Sequence, residues 1–186
     1  VNNAGAFWLQ PSMQTSFKRH DLLFGVNERG CYLATQACHP YLRQAANPHI
    51  LNISPPLDLR AVWLQHTSPY TVSKFAMSLY ALGWSRELAA EGIAANCLWP
   101  RTGIESPAAL FHGGEELRGE FRKASIMADA AHAIVSKPSR EFTGHFCIDD
   151  SLLYAEGVRD LDAYSVVPGA VLVPDYFVPA SCSAPP

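Results

Sequence analysis

No run of Lys or Arg appears anywhere in the 186 residues, and the formal net charge is -3. Nucleic-acid phosphates are held by clustered cations, so no nucleic-acid partner is expected. No apolar run reaches the roughly 18–20 residues that span a bilayer, and no charged-then-apolar leader opens the chain. The expectation is a soluble intracellular protein with no membrane span. CxxC is absent too. The five cysteines (Cys31, Cys38, Cys97, Cys147, Cys182) are odd in number and widely spaced, which reads as reduced thiols rather than a disulfide frame. The seven histidines contain no HxxxH pair, so no metal site is expected.

What remains is an ordinary globular composition, 48% hydrophobic and 17% charged, suited to one domain with a real core. Phe17 to Arg43 reads as helical, weakened slightly by Gly25 and Gly30. His49 to Ser54 ("HILNIS") reads as a strand stopped by Pro55 and Pro56. Tyr70 to Glu91 is the clearest helix, with Gly92 as its stop. Ile93 to Pro100 is the next strand, and one or two helices follow within Thr102–Arg122. Ser125 reads as the N-cap of a helix over Ile126–Val135, and Gly144 to Asp149 as a last strand. Alternating strands and helices imply parallel βαβ units, hence an α/β, doubly wound sheet with helices on both faces. Residues 1–165 form that unit, and 166–186, rich in Pro and Val, are expected to be an extended tail with a disordered end. Val1 reads as the last residue of an apolar strand.

A doubly wound sheet binds ligands at the carboxyl ends of its strands, and the chemically interesting residues fall there. Tyr70 and Lys74 stand at i and i+4, on one helix face. An ordinary phenol is a poor base at neutral pH. A neighbouring ammonium stabilises the phenolate and makes it a general acid/base. Ser54 ends one strand and could hold a substrate oxygen. Asn3, Ala4 and Gly5 form a turn after the remnant strand, and Pro100 and Thr102 follow another. On spacing alone the Tyr–Lys pair is better explained by chance; the convergence of these features on one sheet edge favours chemistry. The bland readings are a turn cap for Asn3, a satisfied polar residue for Asn27, and packing for Trp8, Trp63, Trp84 and Trp99. Trp63 could instead line an apolar pocket. A serine hydrolase built on Ser54 ranks last, since no GxSxG elbow surrounds it.

The order "NNAG" (Asn2–Gly5), "GVN" (Gly25–Asn27), "LNIS" (Leu51–Ser54), "YTVSK" (Tyr70–Lys74) and "LWP" (Leu98–Pro100) resembles the short-chain dehydrogenase/reductase superfamily. The resemblance covers nearly all of residues 1–150, and "LNISPPL", "LWPRT", "ADAAHAI", "KPSREFTGHFCID" and "PDYF" resemble one branch of it. It implies a Rossmann-like fold missing about its first three strands, and NADP or NAD as cofactor. Tyr70 would be the acid/base. Lys74 would lower its pKa and hold the nicotinamide ribose. Ser54 would hold the substrate oxygen, and Asn27 would anchor a relay water. Asn3, Ala4 and Gly5 would line the adenosine side, with Pro100 and Thr102 beside the nicotinamide. The substrate would be a small, lipid-like alcohol or carbonyl compound.

Three departures from the family pattern matter. The phosphate-binding TGxxxGxG turn does not occur in these residues, so weak cofactor binding by this chain alone is expected. The Ser54-to-Tyr70 interval is longer than usual, and Pro55 stands where a hydroxyl often does. Arg101 replaces the usual glycine after the strand-ending proline, and reads either as a charge beside the cofactor or as a solvated side chain. The alternative class is an inactive binding or assembly module. An unpaired sheet edge at Val1 predicts a homo-oligomer or poor solubility.

Overall fold

The computed structural model describes residues 1–179 and 182–185. The helical N-terminal stretch is α1 (Phe17–Leu23), a π-helical turn at Phe24–Arg29, and α2 (Gly30–Leu42). Strand β1 (His49–Ile53) leads through a loop to α3 (Ser68–Glu87), and β2 (Ala94–Trp99) follows. Then come α4 (Pro107–Gly113), a 3-10 turn at Glu115–Glu120, α5 (Ser125–Val135), β3 (Phe146–Ile148) and α6 (Asp149–Ala155).

The three strands pair in the order β1-β2-β3, all parallel. Asn2 continues the sheet on the outer side of β1. Its N–H donates to Leu51 O (2.7 Å) and its carbonyl accepts from Ile53 N (3.1 Å), in parallel register with Asn52. Asn2 thus forms an isolated parallel bridge beside β1, and the fold is the expected parallel α/β sheet with Rossmann-like topology, present in part.

Period-two alternation sends successive strand residues to opposite faces. Ile50 and Ala95 meet Cys31, Met77 and Trp84 of α2 and α3 on one face. Leu51 and Leu98 meet Ile126, Ala130 and Ile134 of α5 and Leu153 of α6 on the other. A third cluster caps the carboxyl ends of the strands: Leu23, Tyr70, Phe75, Trp99, Ile148 and Phe177.

Local chemistry sets most boundaries. Helix α3 begins two residues earlier than expected because Pro69 suits a first helical turn. After a short 3-10 turn, the chain leaves at Gly92, whose φ of 74° favours glycine. Ser125 is not the N-cap of α5: Ala124 holds that position and no side chain caps it. The expected last strand is shorter, because Asp149 already begins α6.

The stretch after Val166 forms a strap laid back over the body. Val166 N–H donates to Phe121 O, Val173 N–H to Glu120 O, and Asp175 N–H to Arg101 O. Pro174 bridges antiparallel to Thr102, and Phe177 is fully buried. The disordered end expected from composition falls partly on residues 180, 181 and 186, outside the described residues. Among the described residues no helix is long and apolar enough to cross a membrane.

Candidate active site

Pro69 and the first turn of α3 set Tyr70 against the carboxyl end of the sheet, and Lys74 follows one turn later. Both are buried. Lys74 Nζ donates to Ile53 O at the end of β1 (2.7 Å) and lies 5.2 Å from the centre of the Trp99 ring. Tyr70 lines a cavity of about 430 Å³ with Trp99, Pro100, Gly103, Asp175 and Tyr176. The rest of the lining is mainly apolar, from Phe7, Leu9, α4 and Phe121.

The electrostatics differ from the expectation. Burial pushes the Tyr70 phenol above its ordinary value, and Asp175 and Tyr176 act in the same direction. Lys74 does not reverse this, because its ammonium is turned to the Ile53 carbonyl and the Trp99 face. Burial lowers Lys74 to about 8, against the opposing pull of Cys31 and Asp175.

Asn27 is placed by an irregularity that periodicity does not reveal. It sits in the π-helical turn, a feature often found at functional sites, and is fully buried. Its Oδ1 accepts from Ala6 N (2.7 Å), and its Nδ2 donates to Ala6 O (3.0 Å) and Ser73 Oγ (2.9 Å). It therefore clips the turn after the remnant strand onto α3. Asn3, Ala4 and Gly5, just before this clip, are exposed. A Cβ on Gly5 would stand 3.6 Å from Asn27 Oδ1 and 3.9 Å from Lys74 Nζ, so the turn, Asn27 and Lys74 converge.

Ser54 does not join them. It is fully buried, its Oγ donates to Cys97 Sγ on β2 (3.3 Å), and it is not among the cavity residues. Trp63 packs against the end cluster, with Nε1 donating to Asp58 Oδ2 (2.7 Å), while Trp99 reaches the cavity. Thr102 is buried, and its Oγ1 has no protein partner.

Arg101 follows neither sequence reading. Its Nε donates to both Asp150 oxygens (2.8 and 2.6 Å), Nη1 to Cys182 O (2.6 Å), and Nη2 to Ser151 Oγ (2.7 Å) and Ser183 O (3.1 Å). The guanidinium is a clamp on the strap. Sequence reasoning also missed Asp175 and Phe177. The only available signals were an Arg in a glycine's usual place and an aromatic residue inside a Pro-rich stretch.

The family described as short chain dehydrogenase matches residues 1–108. The chain belongs to that family. Hydroxysteroid dehydrogenase-like protein 2 of Xenopus tropicalis is 47% identical over 184 residues, 99% of this chain and 44% of that protein. The chain thus spans less than half the length of this curated relative. A short chain dehydrogenase structure from Mycobacterium thermoresistibile is 39% identical, with a TM-score of 0.89 over 98% of this chain and 66% of that one. A blue fluorescent protein from a metagenomic library, solved in complex with NADPH, is 26% identical, with a TM-score of 0.63 over 80% of this chain and 61% of that one. These likenesses make the chain oxidoreductase-like, with relatives that bind nicotinamide cofactors.

The strap brings an acid whose titration is measurable. Burial pushes the Asp175 carboxyl up to about 7; its bond from Tyr176 N–H opposes this and Asp149 adds to it. An unfolded chain releases this proton near pH 4. Between about pH 4 and 7 the folded state therefore binds more protons, and stability falls as pH rises across that window. Asp149, raised to about 6, acts with the same sign. Asp175→Asn should raise the thermal midpoint by at least about 2 °C near pH 8 and leave it unchanged near pH 4. A shift independent of pH would contradict this.

Proposed function

We propose that the chain supplies the proton-transfer and substrate-binding part of an NADP- or NAD-dependent dehydrogenase/reductase. The observation that carries the reading is the meeting of Tyr70, Lys74 and the Asn27-clipped Asn3–Ala6 turn beside one apolar cavity at the strand ends. The neutral Tyr70 phenol would give its proton to a carbonyl oxygen in reduction, and the phenolate would take it back from the alcohol in oxidation. The apolar lining suits a small substrate with a lipid-like body.

The residues fit the nicotinamide half of a cofactor. Lys74 would hold the ribose, Thr102 Oγ1 offers an unpartnered hydroxyl, Pro100 supplies a wall, and Asn3, Ala4 and Gly5 form an open edge for the adenosine side. Asn27 positions that edge through Ala6. When bound, the cofactor supplies the hydride. The exposed apolar residues of α2 and α3 (Tyr32, Leu33, Val72, Leu79, Leu82) support a homo-oligomer.

A titration of NADH and NADPH, followed by nicotinamide fluorescence, tests the reading. It compares this chain with a form extended upstream through a strand–turn–helix phosphate site. The extended form should bind at least about tenfold more tightly, since several charge-assisted contacts depend on that turn. No binding by the extended form would overturn the proposal. Equal tight binding by both would overturn the claim that these residues lack the phosphate-holding part of the site.

A further inference from the structure

The dehydrogenase reading leaves the one acidic residue of the cavity lining without a task. Asp175 lines the cavity beside Tyr70, and its charge reaches both the Tyr70 phenol and the Lys74 ammonium. Its position is fixed on every side. Its N–H donates to Arg101 O (2.9 Å), and its Oδ1 accepts from Tyr176 N (2.6 Å). Pro174 before it bridges to Thr102, and Phe177 after it is locked into the end cluster. Trp99 Nε1 donates to Tyr176 O (2.7 Å). Farther along, Arg101 grips the Cys182 and Ser183 carbonyls while Asp150 neutralises it.

A carboxylate facing a largely apolar cavity is costly unless a donor reaches it. Among the described residues the protein supplies one close donor to Oδ1, the Tyr176 N–H, and none to Oδ2. We propose that Asp175 is a substrate-binding residue that accepts a hydrogen bond from a hydroxyl carried next to the substrate's reacting oxygen. The substrate class is then an apolar chain bearing a hydroxyl beside the carbonyl that Tyr70 protonates, or the corresponding diol. This rests on the reading of Tyr70 as the acid/base. Above about pH 7, where Asp175 is ionised, a plain ketone would bury the carboxylate without a partner, and sites built to hydrogen-bond a hydroxyl discriminate strongly against analogues that lack it.

The test uses the upstream-extended protein and a matched pair of ligands, a medium-chain methyl ketone and its alpha-hydroxy counterpart. Binding is read by quenching of tryptophan fluorescence, since Trp99 lines the cavity. The wild-type protein should bind the hydroxyketone at least about tenfold more tightly, and Asp175→Ala and Asp175→Val should bring the ratio near one. A wild-type ratio near one overturns the proposal, and so does an unchanged ratio in a folded variant. The wild-type ratio decides alone if neither variant folds. Tyr70→Phe separates the two readings. Retained turnover in that variant would remove the acid/base assignment, whereas the binding ratio is set by Asp175 and should persist.

Discussion

Tyr70→Phe is expected to lower carbonyl reduction by about 10²- to 10⁴-fold, the usual contribution of a positioned general acid, while nicotinamide binding is largely retained. The phenol sits in the end cluster between Phe7, whose ring centre is 5.0 Å away, and Phe177 at 6.1 Å. A Phe ring keeps that packing, so the loss would be one of chemistry and not of fold. Ser54→Ala is the internal contrast. Its hydroxyl is already bonded to Cys97 Sγ, so turnover should stay within severalfold of wild type. Steady-state rates of nicotinamide oxidation measure both. A Tyr70→Phe protein of normal rate, or a Ser54→Ala protein as damaged as Tyr70→Phe, would refute these placements.

The second large effect is expected at Phe177. Its ring is fully buried and lies within about 6 Å, centre to centre, of Trp63, Tyr70, Phe75 and Trp99. The residue also holds a φ of 66°, a left-handed backbone that a bulky side chain adopts only when its surroundings enforce it. Phe177→Ala should cost about 3–5 kcal/mol, the usual range for a buried aromatic, and lower the thermal midpoint by roughly 10 °C. It should also loosen Asp175, two residues earlier. Tyr176→Ala, at a residue 47% exposed, should cost far less. Thermal unfolding by circular dichroism measures both; a Phe177→Ala drop under about 2 °C would mean that the strap is not part of the core.

These expectations show which parts of the molecule were legible in its sequence. "HILNIS" and "IAANCLWP" were legible as strands because short β-rich runs ended by proline cannot continue as helix or sheet. The Tyr70–Lys74 pairing was legible because helical spacing fixes a shared face. The partner of the Ser54 hydroxyl, Cys97 Sγ, was not legible, because it lies across the sheet on β2 and no periodicity governs the loop that follows Ser54. The direction of the Tyr70 shift was missed because it is set by burial beneath Phe177, a residue more than a hundred positions away. The strap itself was hidden because its burial depends on a long-range clamp. Arg101, after β2, meets Asp150, at the start of α6, and together they hold the chain near Cys182. Composition described that stretch as Pro-rich, and only the tertiary contacts make it a wall of the site.

The central claim is that Tyr70 and its cavity serve hydride transfer to a carbonyl. The most direct measurement incubates the upstream-extended protein with nicotinamide cofactor deuterated at C4 and a panel of medium-chain ketones and hydroxyketones. Mass spectrometry then follows the label. Deuterium should appear on the carbinol carbon of the product, and the label should vanish in the Tyr70→Phe protein. A protein that binds the cofactor yet transfers no deuterium to any carbonyl in the panel would contradict the account.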